Sequence, residues 1–135
     1  MTPHFFAPVI FLVVLSGCGG SSGPRLVAVH GTVTLDGKPV PDAVVVFTPE
    51  TGRPSSGVSN TEGQYELVYA HDQRGAVVGT HKVKITTGRD KAVVEGKVVQ
   101  EAVTEKIPKQ YNVDSTLTAN VSSNESEINF ELSSK

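Results

Sequence analysis

The sequence predicts an all-β protein, a seven-stranded antiparallel Greek-key β-sandwich preceded by a signal peptide. Three observations predict it. Apolar and polar side chains alternate with a period of two in short runs from Leu26 onward. Turn signals such as Asp36-Gly37, Glu62-Gly63 and Ser122-Ser123-Asn124 separate those runs. Ahead of them, an apolar segment from Phe5 to Leu15 closes on Leu15-Ser16-Gly17-Cys18.

That segment is shorter than the roughly 20 apolar residues needed to span a bilayer, but it fits the roughly 7–15 residues of a signal-peptide core. Leu15, the small Ser16 and Gly17, and Cys18 resemble the bacterial lipobox, in which a peptidase cuts before the cysteine and acyl chains are attached to it. Each buried methylene contributes about 0.8 kcal/mol of membrane affinity, so several chains on Cys18 form a durable anchor. The first charged side chain is Arg25, so the basic start usual in signal peptides is missing. Cys18 is the single cysteine, which leaves it no disulfide partner and no zinc-site companions. Residues 1–17 are therefore expected to be a signal peptide, residues 18–25 a flexible Gly/Ser tether and residues 26–135 one domain. The expected location is extracytoplasmic, anchored to the membrane by lipid on Cys18. The outer membrane is favoured over the inner, because Gly19 stands where an inner-membrane retention Asp would be.

In the domain, Val27, Val29, Gly31, Val33 and Leu35 alternate with Ala28, His30, Thr32 and Thr34 as a first strand that ends at Asp36-Gly37-Lys38-Pro39. Ala43 to Thr48 is continuously apolar enough for a central strand, closed by Pro49. After a loop, Gly57 to Asn60 reads as a short edge strand, and Thr61-Glu62-Gly63-Gln64 as a hairpin turn into a fourth strand carrying Tyr65, Leu67 and Tyr69 on one face. Residues 71–79 read as a loop. The fifth strand places His81, Val83 and Ile85 inward, with Lys82 and Lys84 facing water. Residues 88–107 fit neither period and are expected to be an irregular, mobile excursion and the favoured contact for a partner. Two last strands carry Leu117, Ala119 and Val121, then Ile128, Phe130 and Leu132. The expected core is Val33, Val45, Phe47, Tyr65, Leu67, Val83, Ile85, Ile128 and Phe130.

Composition narrows the function. Twelve basic against 14 acidic side chains, with no basic cluster, leave no electrostatic footprint for nucleic acid. His30 lies on a polar strand face, and His71 beside Asp72 could meet His81 only without a third ligand in reach, so no metal and no cofactor is expected. The serines sit in Ser/Gly turns rather than in a nucleophile elbow. Glu62, Glu66, Glu95, Glu101 and Glu105 are too scattered to be read as a catalytic pair. No catalytic residue is assigned.

Val29-His30-Gly31-Thr32-Val33-Thr34-Leu35-Asp36-Gly37-Lys38-Pro39-Val40, Ala43-Val44-Val45-Val46-Phe47 and Thr61-Glu62-Gly63-Gln64-Tyr65 resemble the carboxypeptidase-regulatory-like, transthyretin-like β-sandwich domain. Val78-Gly79-Thr80-His81-Lys82-Val83 and Ile107-Pro108-Lys109-Gln110-Tyr111-Asn112 are similar to the small exported lipoproteins of planctomycete bacteria. His81 departs from the aromatic that such domains usually carry there. The resemblance implies a non-catalytic binding or structural module of the cell envelope, with an envelope protein or a glycan as partner. An alternative is a transthyretin-like hydrolase, but the hydroxyisourate hydrolases end on Tyr-Arg-Gly-Ser and this chain ends Leu132-Ser133-Ser134-Lys135. A Lys–Asn isopeptide, as in collagen-adhesin B-type domains, lacks its Lys in residues 26–35, and Asn129 points away from the inward face.

Overall fold

A computed structural model describes residues 23–124 and 126–135. The predicted signal peptide and lipobox, with Leu15, Ser16, Gly17 and Cys18, lie outside the described residues. The domain is all-β. In chain order its strands are β1 (Leu26–Val27), β2 (His30–Leu35), β3 (Lys38–Pro39), β4 (Val44–Pro49), β5 (Ser55–Val58), β6 (Gln64–Glu66), β7 (Val68–Ala70), β8 (Gln73–Arg74), β9 (Ala76–Val77), β10 (Gly79–Thr86), β11 (Ala92–Val94), β12 (Lys97–Gln100), β13 (Thr118–Val121) and β14 (Phe130–Leu132). A single 3-10 turn covers Lys109–Tyr111.

The larger sheet runs β13-β10-β4-β5-β7-β8, and the smaller joins β14, β2 and β3, with β6 also on β2. Alternation in the sequence dictates what each strand buries, because successive side chains leave a strand on opposite faces. Val29 and Val33 are fully buried while His30 is exposed, and His81, Val83 and Ile85 are buried while Lys82 and Lys84 are exposed. The expected core is buried throughout, with Ile128 half-buried at its margin. Four rings bridge the two sheets: His81 and Phe47 of the larger lie 5.7 Å apart, Phe47 meets Phe130 of the smaller edge-on at 5.9 Å, and Phe130 meets Tyr65 at 6.2 Å. Such contacts add specific geometry to the large apolar area the rings remove from water.

The β2–β3 turn uses Asp36 (φ 51) and Gly37 (φ 81), two left-handed residues whose twist matches the flanking strands. Gly31 has a different reason to be glycine. Its cross-strand neighbour is Tyr65, and a Cβ there would collide with the Ile128 carbonyl. The missing side chain lets the Tyr65 hydroxyl cross β2 and donate to the Ile128 oxygen, tying β6 to the chain that leads into β14. Burial pushes the Tyr65 phenol well above its ordinary pKa, so it stays a donor.

Five features differ from the sequence expectation. The predicted fourth strand keeps its alternation but changes sheets at Leu67, with β6 pairing β2 and β7 pairing β5. At that switch the Leu67 N–H bonds the Val29 oxygen, while its own oxygen accepts from Gly75. The predicted edge strand begins earlier, at Ser55, and lies inside the larger sheet between β4 and β7. The expected loop 71–79 contributes β8 and β9, the latter pairing β1. β14 runs parallel to β2, whereas the other strand pairings are antiparallel. Finally, residues 88–107, expected to be irregular, contain the hairpin β11–β12 around Glu95 (φ 50) and Gly96 (φ 77).

Candidate binding groove

Strand parity builds the site. β2 turns His30, Thr32 and Thr34 outward, β6 turns out Gln64 and Glu66, and the segment entering and forming β14 turns out Glu127, Asn129 and Glu131. Together these outward side chains line a groove on this face. The resulting groove encloses about 950 Å³ and is open to solvent, with Val58 and Asn60 at its rim.

Its polar side chains are held by bonds to one another and to the backbone. Asn129 Oδ1 accepts the Thr32 N–H at 2.9 Å, and Asn129 Nδ2 donates to Glu127 at 3.0 Å. Glu127 also stands 3.8 Å from His30 Nε2. At the other margin Asn60 donates to Gln64 at 3.2 Å, while its Oδ1 accepts the N–H groups of Glu62 and Gln64 at 3.0 Å each. Arg74 pairs with Glu66 at 3.1 Å. One of the three groove carboxylates therefore has a guanidinium partner, one has an imidazole neighbour, and the face as a whole offers acceptors with negative charge. The groove can bind a polar ligand through hydrogen bonds; Tyr65, the one aromatic lining it, is buried and its hydroxyl is committed to Ile128.

The histidines separate. His30 lies in the groove, His71 is exposed in the β7–β8 turn, and His81 is buried against Phe47. His81 Nε2 lies 2.6 Å from the Val77 oxygen and so carries the proton, while Nδ1 is buried without a partner. Among the described residues no group of three or more His, Cys, Asp or Glu side chains is placed to hold a metal. Asn129 does point outward, away from Phe130 and Leu132.

Two polar anchors lie outside the groove, and neither was expected. Glu105 Oε1 accepts from the Thr87 N–H (2.9 Å), the Thr87 hydroxyl (2.8 Å) and the Ile107 N–H (2.9 Å), and Oε2 accepts from the Gly88 N–H (3.0 Å). Desolvation opposes its charge, but these four bonds outweigh that cost and hold the carboxyl below its ordinary pKa. Glu105 thus clips together the two ends of the 88–107 segment. Asn112 is buried, donates to the oxygens of Ile107, Ile85 and Pro108, and accepts the Val113 N–H. The outward facing of His30, Thr32 and Thr34 was legible from parity, but their meeting with Glu127, Asn129 and Glu131 in one groove was not expected from the sequence. The Glu105 clip had no such signal, because the partners that make it a clip, on Thr87 and Gly88, lie 18 and 17 residues away in the chain.

No family model matches the chain, and neither the curated proteins nor the solved structures contain a significant match to it.

Proposed function

We propose that this chain is an extracytoplasmic, non-catalytic binding module of transthyretin-like sandwich type. Lipid on Cys18 holds it to a membrane, with the outer membrane favoured, and the outward face of the smaller sheet engages an envelope protein or a glycan. The observation that carries this reading is the order of parts along the chain. A Leu15-Ser16-Gly17-Cys18 box and a tether nearly free of side chains precede a single β domain with a groove lined by polar strand residues. No helix among the described residues is long and apolar enough to cross a membrane, so the described domain contributes no helical span of its own.

A second reading, a transthyretin-like hydrolase, draws on the His30–Glu127 pair in the open groove. One experiment separates the two. The anchored full chain is extracted in mild detergent and its co-purifying molecules are identified, beside Thr34→Arg and Glu131→Lys, which fill or recharge the groove without touching the core. The binding reading expects a bound molecule that both variants lose. Retention of the same molecule by both variants, or its chemical turnover by the wild type but not by His30→Ala, rejects it.

A further inference from the structure

The smaller sheet ends on β14, which pairs with β2 along one edge and with no strand among the described residues along the other. Parity shows what that second edge offers. The Ser126 and Leu132 oxygens and the Ile128 N–H bond to His30 and Asp36, in line with β2. The N–H and C=O of one residue leave an extended strand on the same side, and the side alternates along the chain, so those of Glu127, Asn129 and Glu131 turn to the open edge. Two residues further on, the same edge is closed. The Tyr111 hydroxyl accepts the Ser133 N–H at 3.0 Å, and Gln110 Nε2 donates to the Ser133 oxygen at 3.3 Å. The open stretch is therefore short and bounded, from Glu127 to Glu131.

Such an edge is a template for a strand from another chain. Its side chains decide which strand. Glu127, Asn129 and Glu131 are exposed and line the groove, and no Lys or Arg among the described residues forms a salt bridge with either glutamate. The charges turn away a second copy: antiparallel pairing of two such edges about Asn129 would set Glu127 of each against Glu131 of the other, and like charges directly opposite destabilise a sheet. A glycan is poorly served too. Tyr65, the one aromatic of the groove, is 3% exposed and offers no face for a sugar ring to stack on.

A peptide strand with a basic residue opposite each glutamate satisfies both the backbone groups and the charge. Its intervening side chains would lie on the other face, continuing the row of Ile128 and Phe130 that packs on the core, and so must be apolar. We propose that β14 takes an added antiparallel strand from a protein partner, an extended segment of pattern basic-apolar-polar-apolar-basic whose basic residues face Glu131 and Glu127 and whose central residue faces Asn129. The antiparallel sense follows from its slightly more stable ladder. This inference rests on the groove reading above and narrows its partner to an extended basic peptide.

The test titrates the full chain, in mild detergent, with the synthetic peptide Lys-Val-Thr-Val-Lys capped at both ends, and follows binding and amide hydrogen exchange. Exchange at Asn129 and Glu131 should slow. N-methylation of the peptide's Thr, whose N–H faces β14, should abolish that protection, whereas N-methylation of a Val, whose N–H points away, should leave it. Glu127→Lys with Glu131→Lys should weaken binding of the basic peptide roughly tenfold and strengthen that of Glu-Val-Thr-Val-Glu to a similar degree. Unchanged exchange at Asn129 and Glu131, equal behaviour of the two methylated peptides, or failure of the charge swap to exchange the peptide preference overturns the proposal. If the peptide fails while a co-purifying glycan is lost by Thr34→Arg, the groove reading stands without this inference; if Thr34→Arg loses no bound molecule, the groove reading itself falls.

Discussion

Removing the Glu105 carboxylate should loosen the hairpin neck before anything else. Glu105→Ala deletes four hydrogen-bond acceptances at once, three of them from backbone N–H groups. Bonds to a charged acceptor contribute about 1.5–3 kcal/mol when buried, but this side chain is largely exposed and water can replace part of what is lost. The expected net cost is therefore about 2 kcal/mol, and about 1 kcal/mol for Glu105→Gln, which keeps one acceptor oxygen. The sign of the pH dependence follows from the lowered pKa. The stabilisation is fully present above the ordinary glutamate pKa and is lost as pH falls through the depressed folded value. Urea unfolding of wild type and Glu105→Ala should show a gap that is constant near neutrality and closes in acid. Hydrogen exchange should quicken at the amides of Thr87, Gly88 and Ile107. A gap unchanged between neutral and acid pH, with the same exchange rates, would show that the carboxylate does not hold the neck.

Three other outcomes follow from packing. Phe47→Ala should cost about 3–5 kcal/mol in chemical denaturation, since the ring is fully buried between Phe130 and His81, whereas Thr34→Ala on the groove face should cost little. Equal effects would mean that the facing of the strands is shifted by one residue. Gly31→Ala should be destabilised beyond the roughly 1 kcal/mol typical of a strand substitution, because its Cβ must displace the Ile128 carbonyl; near-neutral unfolding would refute that close approach. Replacing residues 90–102 by a short Gly/Ser link while keeping Glu105 should leave the melting temperature nearly unchanged, since that stretch contributes no buried side chain.

Inside and outside were legible in the sequence because they are decided locally: Val29, Val33, Val83 and Ile85 alternate with polar neighbours whatever sheet they join. Sheet membership was not legible, because it depends on partners distant in the chain. The fourth strand alternates without interruption through Leu67 and still divides between two sheets there. The same limit hid the parallel β14–β2 pair and the interior place of β5. The β11–β12 hairpin escaped notice for the opposite reason. Its paired valines do not alternate with polar residues, as a strand with no buried face has no need to do, and the one local signal was Glu95-Gly96, a turn of the same left-handed kind as Asp36-Gly37. The groove was latent in the outward positions, since His30 and Asn129 read singly as solvated side chains and become a site only when β14 lies beside β2.

The central claim is that Cys18 tethers this domain to a membrane. The most direct measurement is the intact mass of the protein recovered from its native membrane, with sequencing of the N-terminal peptide. The account predicts that residues 1–17 are absent and that Cys18 carries acyl mass, while a retained Met1 or a free Cys18 thiol would contradict it.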